Sequence, residues 1–280
     1  MHSPDDTPEA LMTAERQEIK YVILQTSAQR LVQEASLKLP RHRFTGAGEN
    51  PLPQPWHYVT TIYFDTPSRD LYRAAVASES NLKLRAKEYY DVNPGLAELA
   101  TDPRQLHHPF RPALFLEIKH KDGSRTGKRR VSIPKRDVPG FFGQGAITPE
   151  MIRLQEHVYG PAAERVLREV ADLLGRYQEP MRADCLVNYR RLVWQDEPGA
   201  VRMTLDLGIA FFAPPEDLWQ RDYTLVREEL GSAVAVERRC VLEVKARGTP
   251  PAWLDTMLAQ TGAVREGYSK FEAASRAVHG

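Results

Sequence analysis

The chain has 280 residues, of which 42% are hydrophobic and 27% charged, and its formal net charge is +1. This is the composition of a globular protein with a core, and the near-neutral charge excludes a general affinity for nucleic acid, so any anion site must come from local sorting of charge. No apolar run approaches the roughly 18 residues of a membrane span, and the start, MHSPDDTPEA, lacks the basic and apolar regions of a signal peptide; we therefore expect a cytoplasmic protein without direct membrane insertion.

The first predicted elements follow a polar, Pro-containing segment, residues 1–14, which we interpret as flexible. A strand at about 16–24 leads into a helix for which Ser27 is a candidate N-cap. After a Pro- and Gly-rich loop, strands follow at about 57–65 and 80–89, with a short helix or turn between them.

A long Pro- and His-containing loop follows at 91–112. Strands at about 113–121 and 128–133 form a predicted hairpin, and a helical stretch follows with a break at Gly160–Pro161. Two short helices are predicted at the end of the chain, after strands at about 182–195, 199–212, 221–228 and 234–246.

Charged residues recur at every second position of several strands. In LFLEIKHKDG, Glu117, Lys119 and Lys121 alternate with Leu116 and Ile118, and side chains alternate between the two faces of a strand. The same alternation places basic residues in phase at Lys20, Lys83, Arg85, Lys87, Lys119, Lys128, Arg130, Arg191, Arg202 and Lys245, and carboxylates at Glu18, Glu117, Asp206 and Glu243. Each strand therefore has one face suited to a core and one suited to ions or water.

Two architectures satisfy this pattern. Antiparallel strands can expose their polar faces to solvent. Alternatively, helices cover the apolar faces and the charged faces look inward in a closed or nearly closed barrel. Such an interior would hold ten basic side chains against four carboxylates, and it would require a multiply charged anion, because unpaired buried charges are costly.

Several motifs occur in an order that resembles a known family. The motifs are RQEIKY, YFDTPSRDLY, KLRAKEY, FLEIKHK, NYRRLVW, VRMTLD, VLEVK and YSKF, within about residues 15–275. Together they resemble the VTC (vacuolar transporter chaperone) domain, the polyphosphate polymerase branch of the triphosphate tunnel metalloenzymes in the CYTH-like superfamily. The resemblance implies that residues 15–280 form a single α+β domain of the bacterial stand-alone type, an eight-stranded antiparallel β-barrel covered by outer helices.

The resemblance also implies which residues contact phosphate and metal. It assigns phosphate-binding and catalytic roles to Lys20, Arg85, Lys87, Lys119, Lys128, Arg191, Arg202 and Lys270, with Lys83, Arg130 and Lys245 as weaker candidates. Lys87 stands where the family more often has Arg and lacks the bidentate fork of that residue. Glu243 matches a metal-binding glutamate for Mn²⁺ or Mg²⁺, whereas Glu18 and Glu117 either bind metal or pair with neighbouring cations.

The predicted activity is transfer of the γ-phosphate of ATP, or of another triphosphate, to a growing polyphosphate chain, with no nucleic acid partner. A phosphate nucleophile is already ionised, which fits the lack of a catalytic His or Cys constellation. Arg16 occupies the position of the first Glu in the E-x-E-x-K signature of the hydrolase branch, which favours the polymerase. A metal-dependent tunnel triphosphatase and a non-catalytic polyphosphate- or nucleotide-binding module remain as alternatives.

Overall fold

The structure is a computed structural model that describes residues 16–43, 55–78, 82–90, 112–122, 125–197 and 199–280, without the side chains of Arg16 and of residues 120–122 and 125–128. The predictions of a flexible segment at 1–14 and of a loop at 91–112 lie outside the described residues, apart from residue 112. The hairpin prediction is described except for the two residues at its tip, 123 and 124.

Strands dominate the described part of the chain. The strands are β1 (Arg16–Leu24), β2 (His57–Asp65), β3 (Lys83–Tyr90), β4 (Ala113–Asp122), β5 (Arg125–Pro134), β6 (Arg182–Gln195), β7 (Val201–Phe212), β8 (Ala235–Val236), β9 (Arg239–Arg247) and β10 (Val264–Arg265). The α-helices are α1 (Ala28–Lys38), α2 (Asp70–Val76), α3 (Val138–Gln144), α4 (Pro149–Tyr159), α5 (Ala163–Leu174), α6 (Ala252–Gln260) and α7 (Lys270–His279). No helix in these ranges is long and apolar enough to cross a membrane.

The ten strands form one antiparallel sheet in the order β10-β1-β9-β7-β6-β2-β3-β4-β5, with β8 paired to β7. The α+β class is therefore confirmed. Within the described residues the number of strands is ten rather than eight, and the path is open, with β10 and β5 at its ends. A closed barrel is not confirmed.

Side chains of α4 occupy part of the outer edge of β5. Gln155 accepts a hydrogen bond from Ser132 N at 3.0 Å and donates one to Ser132 O at 2.5 Å, and the Tyr159 hydroxyl donates to Arg130 O at 2.6 Å. An open sheet edge carries backbone groups that need partners. At these two residues the partner is a helix rather than a further strand.

The start and end of α4 follow from its local sequence. Thr148 is the N-cap, and its side chain accepts a hydrogen bond from Met151 N, with Pro149 at the first helical position. Gly160 ends the helix at φ +51°, a left-handed conformation that glycine adopts at little steric cost. The predicted break at Gly160–Pro161 is thereby confirmed.

The chain divides into two compact units. In the described part of the chain, the first contains residues 16–43, 191–207 and 238–268, and the second contains the remaining ranges. In the first unit the core includes Leu31 of α1 and Leu254 of α6, together with Leu205 and Val244 of the sheet. Among the core residues of the second unit are Leu84, Leu116, Ile118 and Val131. The single-domain assignment to 15–280 stays a prediction.

The predicted strand at 221–228 is wrong. This segment is largely irregular and ends in a 3₁₀ turn, although Leu225 is fully buried. Its backbone is bound by side chains: Leu225 N donates to Glu88 at 2.6 Å, and Lys135 Nζ donates to Tyr223 O at 2.6 Å. Glu88 and Lys135 are themselves a buried ion pair at 2.7 Å. Because side chains satisfy these backbone groups, the segment forms no continuous strand, although Tyr223 makes a single β-bridge.

Candidate functional site

Three cross-strand rows form the charged face of the sheet in the second unit, which we call the β3–β5 face. The strand register sets these rows in β3, β4 and β5, respectively: Lys83, Lys119 and Lys128; Arg85, Glu117 and Arg130; Lys87, Phe115 and Ser132. The side chain of Lys128 lies outside the described residues, so its place is known from the register alone. Residues in phase on neighbouring strands share a face, which agrees with the alternation in the sequence.

Glu117 is the centre of this face and is only 2% exposed. Arg85 Nε donates to its Oε2 at 2.9 Å, and Arg130 Nη2 donates to its Oε1. Lys87 Nζ lies 4.0 Å from Oε2. Of the two roles expected for Glu117, pairing with neighbouring cations is what the geometry shows, while a metal-binding role stays a prediction.

Two tyrosines lie among the cations of this face. Burial disfavours the charge of Arg85, but Glu117, Tyr63 and Tyr189 outweigh it and hold the pKa of the guanidinium above its usual value. Burial raises the pKa of Tyr63 more than Arg85 and Lys270 lower it. Arg85 is therefore a permanent cation and Tyr63 a neutral hydroxyl at ordinary pH.

The start of α7 adds one more basic side chain, Lys270, and contacts Lys83 of the β3–β5 face. Lys83 Nζ donates to Ser269 Oγ at 2.9 Å and lies 3.6 Å from Glu272. Lys270 Nζ lies 4.9 Å from the centre of the Tyr189 ring, a cation–π contact. Ser269 is the N-cap of α7, and its side chain accepts a hydrogen bond from Glu272 N.

The charge balance of these described side chains is strongly positive. The carboxylates are Glu117 and Glu272, and the cations are Lys83, Arg85, Lys87, Lys119, Arg130 and Lys270. Six cations against two carboxylates make this group of described side chains electropositive. The arrangement therefore favours binding of a multiply charged anion.

The first unit has its own charged face, formed by β1, β9 and β7. Register places Glu243 between Lys20 on β1 and Thr204 on β7, and Lys245 between Glu18 and Arg202. Lys245 Nζ lies 3.1 Å from Glu243 and 3.9 Å from Glu18, and Lys20 Nζ lies 4.0 Å from Glu18. The register and the ion pairs thus place Glu18, Lys20, Arg202, Glu243 and Lys245 side by side on this face.

Glu243 is ionised over the whole physiological range of pH. Burial alone would raise its pKa, but Lys245, Arg191 and Lys20 outweigh burial and hold the pKa well below its usual range. A carboxylate that keeps its charge is what a hard divalent cation requires of a ligand.

Arg191 and Arg202 have different surroundings in the first unit. Arg191 donates two hydrogen bonds to Asp206, from Nε at 2.6 Å and from Nη2 at 2.8 Å, in a bidentate pair. Arg202 lies close enough to His42 to lower the pKa of that imidazole, although burial is the larger cause.

A metal ion is implied by the family resemblance, and the residues around Glu243 fit one. Glu243 and Glu18 supply carboxylate oxygens beside the same Lys245, and Thr204 lies directly across from Glu243. Within the described ranges, Thr204 Oγ1 is buried and has no hydrogen-bond partner. The same ranges contain no group of three or more His, Cys, Asp or Glu side chains arranged to hold a metal. The donor set is thus one or two carboxylates and a hydroxyl, as Mg²⁺ uses when substrate phosphates and waters complete its coordination.

Several residues of these faces were not predicted from the sequence. Asp206, read only as an in-phase carboxylate, is the fork-to-fork partner of Arg191. Glu272 beside Lys83 could have been found from the S-x-x-E pattern that begins at Ser269, which is typical of a capped helix start. His42 and Thr204 carry no local signal, because their roles depend on which strands are neighbours.

The family model described as the VTC domain matches residues 15–279, nearly the whole chain. No curated protein matches the chain.

Solved structures resemble the chain only distantly. A protein from Pyrococcus horikoshii OT3 has 14% identity and a TM-score of 0.39, with 92% of this chain and 97% of that one covered. A Bacillus halodurans protein, provisionally described as an adenylate cyclase, has 12% identity and a TM-score of 0.46, with 92% and 97% covered. A conserved hypothetical protein from Pyrococcus furiosus has 10% identity and a TM-score of 0.37, with 92% and 99% covered. At TM-scores below 0.5 these likenesses carry no weight for the function.

The family match is decisive because of its extent, and the chain belongs to the VTC domain family. It is therefore a member of the triphosphate-tunnel group of proteins, which agrees with the resemblance carried by its motifs.

Proposed function

We propose that this chain is a nucleotide-dependent polyphosphate polymerase-like phosphotransferase, which transfers the γ-phosphate of ATP to a growing polyphosphate chain. The observation that carries the proposal is the cluster of Arg85, Arg130 and Lys87 around Glu117, continued by the row that contains Lys83 and Lys119. Membership of the VTC family supports the choice of polyphosphate chemistry.

Phosphoryl transfer needs positioning and charge stabilisation more than covalent help. In the proposed step a terminal oxygen of the polyphosphate attacks the γ-phosphorus, and a new P–O bond forms there. The bond from that phosphorus to the β–γ bridging oxygen breaks, and its electron pair leaves with ADP. The guanidinium forks of Arg85 and Arg130 bind non-bridging oxygens, and Lys87 adds a point charge.

A divalent metal ion is the second component of the proposal. Glu243, with Glu18 and Thr204, would hold a Mn²⁺ or Mg²⁺ ion, which neutralises charge on phosphate oxygens when bound. Arg191 is oriented by Asp206, and Arg202 supplies a further guanidinium for phosphate. Because the attacking phosphate is already ionised, the chain needs no general base.

The decisive experiment incubates the purified chain with ATP and Mn²⁺ and separates polyphosphate from orthophosphate. Polyphosphate should accumulate. Orthophosphate without polyphosphate would identify a triphosphatase instead, and binding of ATP without turnover would identify a binding module.

Two variants connect the activity to the residues. Glu243→Gln should abolish turnover but leave tripolyphosphate binding intact or tighter, because it removes the charge that the metal needs and one repulsion for the anion. Arg130→Ala should weaken tripolyphosphate binding by roughly 1.5–3 kcal/mol, the range for a charge-assisted hydrogen bond. Arg129→Ala is the matched control, since Arg129 is the next residue of β5, is exposed and pairs with Glu169. Equal losses in the two arginine variants would contradict the assignment of Arg130.

A further inference from the structure

Phe115 is an exception on the β3–β5 face. The residue is 40% exposed, whereas its neighbours Leu114 and Leu116, which point to the other face of β4, are fully buried. It stands in the third row, directly across from Lys87 and Ser132. An aromatic side chain on the charged face of a strand contributes nothing to the core on the opposite face.

The ring of Phe115 lies next to the cations that bind phosphate in the proposed function. The guanidinium carbon of Arg130 lies 5.7 Å from the ring centre, and Lys87 is the cross-strand neighbour. The row of Lys83 and Lys119 is four residues away along β4, about 13 Å at about 3.3 Å per residue. This span suits an extended triphosphate with a nucleoside attached, the phosphates along the first two rows and the base at the third.

Two further aromatic rings lie beyond the third row, one on β3 and one on β2. Tyr89 follows Lys87 in phase, and its ring centre lies 5.1 Å from that of His57. Aromatic faces flanked by cations bind nucleobases by stacking and tolerate any base, since every base has a π face.

We propose that Phe115 stacks against the nucleobase of the donor, so that this face prefers a nucleoside triphosphate to inorganic triphosphate. The inference rests on the proposed function and adds the group that recognises the nucleoside. Phe115 is then a specificity-determining residue, and it takes no part in the transfer step.

The test measures calorimetric affinities for ATP and for tripolyphosphate, both without divalent metal so that no turnover occurs. The variants are Phe115→Ala, which removes the ring, and Phe115→Leu, which keeps apolar bulk but has no π face. In both variants the affinity for ATP should fall roughly tenfold, the scale of one base stack. The affinity for tripolyphosphate should stay within about twofold of wild type, because its contacts are with the cations alone.

Each other outcome has a separate meaning. An equal fall for both ligands would overturn the proposal and show that Phe115 acts only by holding Arg130. Unchanged ATP affinity, or full retention in Phe115→Leu, would also overturn it, while the polymerase proposal would stand as long as wild type binds tripolyphosphate. A wild-type chain that binds neither ligand would instead refute the proposed function itself.

A tryptophan variant provides an independent fluorescence test of base stacking at this position. Phe115→Trp keeps a stacking surface, so its added indole fluorescence should be quenched by ATP and not by tripolyphosphate at equal saturation. Quenching by both ligands alike would count against a base at this position.

Discussion

Glu117 lies between two arginines and a lysine, and both of its carboxylate oxygens accept guanidinium hydrogen bonds. A metal ion at Glu117 would have to displace at least one guanidinium and would then face the remaining cations. Coulomb repulsion at a distance of a few ångströms makes this unfavourable even at the effective dielectric of a partly buried site. We therefore interpret Glu117 as the residue that holds Arg85 and Arg130 in place.

The substitution Glu117→Gln separates the two roles that the sequence left open. It keeps the size of the side chain and removes its charge, so tripolyphosphate should bind roughly tenfold more tightly, the scale of one removed repulsion. The Mn²⁺ concentration that gives half-maximal turnover should not change. Calorimetry and a metal titration of turnover measure the two quantities, and a large increase in the Mn²⁺ requirement would show that Glu117 is a metal ligand after all.

The pKa of His42 can show whether Arg202 binds phosphate, and its measurement does not depend on turnover. Burial and then Arg202 lower the pKa of His42, so the unfolded chain takes up this proton first and the contribution of His42 to stability falls as the pH drops through about 6.5. A phosphate bound at Arg202 adds negative charge nearby and should raise the pKa of His42. An NMR titration of the imidazole with and without tripolyphosphate measures the change.

The control for the His42 titration is Arg202→Gln. In this variant the pKa of His42 should be higher without any anion, and tripolyphosphate should no longer shift it. If tripolyphosphate leaves the wild-type pKa of His42 unchanged, Arg202 does not bind phosphate.

At the scale of elements, the edge of β5 is where the open sheet meets a helix. Gln155 of α4 satisfies the backbone N–H and C=O of Ser132. Tyr159 does the same for the carbonyl of Arg130, so α4 helps to set the position of the Arg130 side chain. A strand edge that is covered in this way is also protected from pairing with other chains.

Replacement of Gln155 tests this covering. Gln155→Leu keeps the volume but leaves two backbone groups without partners, and the free energy of unfolding should fall by about 1–3 kcal/mol. Urea unfolding provides the measurement. Glu156→Leu, at the next and exposed position of α4, should have an effect of less than about 0.5 kcal/mol. Similar losses in both variants would mean that the hydrogen bonds of Gln155 are not responsible.

Elements with a clear period of apolar residues were predictable from the sequence. A segment whose backbone is bound by side chains distant in the sequence was not. The helix break at Gly160 and the strands β1, β2 and β6 lie where the sequence places them. The segment 221–228 has strand-like residues, but Glu88 and Lys135 bind its backbone. These partners are 137 and 88 residues away from the groups they bind, so no local pattern could reveal them.

At the scale of the whole molecule, the excess of cations makes an anion a stabilising ligand. Tripolyphosphate should raise the melting temperature, because it binds the folded chain and relieves repulsion among the basic side chains. Saturation at 100 times the dissociation constant corresponds to about 2.7 kcal/mol. Sulfate, with fewer charges, should raise the melting temperature less at equal concentration. Absence of any shift with either anion at low ionic strength would contradict the anion site.

The sequence by itself determined which residues share a face, because the side-chain period of a strand is a local property. Leu84, Ile118, Val131, Leu205 and Val244 are buried, as the alternation of apolar and charged residues requires, and the charges between them lie on the opposite faces. The family motifs, likewise, were visible in the order of the chain.

Only the tertiary structure decided which charged side chains form ion pairs with one another. The ion pairs of Glu117 with Arg85 and Arg130, and of Asp206 with Arg191, depend on the register of neighbouring strands. The tertiary structure also decided where the sheet ends, since side chains of α4 occupy the edge of β5 at Arg130 and Ser132. The alternation of residues along a strand predicts the face to which each side chain points. A contact between two side chains also requires a neighbouring strand at a fixed register, and long-range packing sets that register.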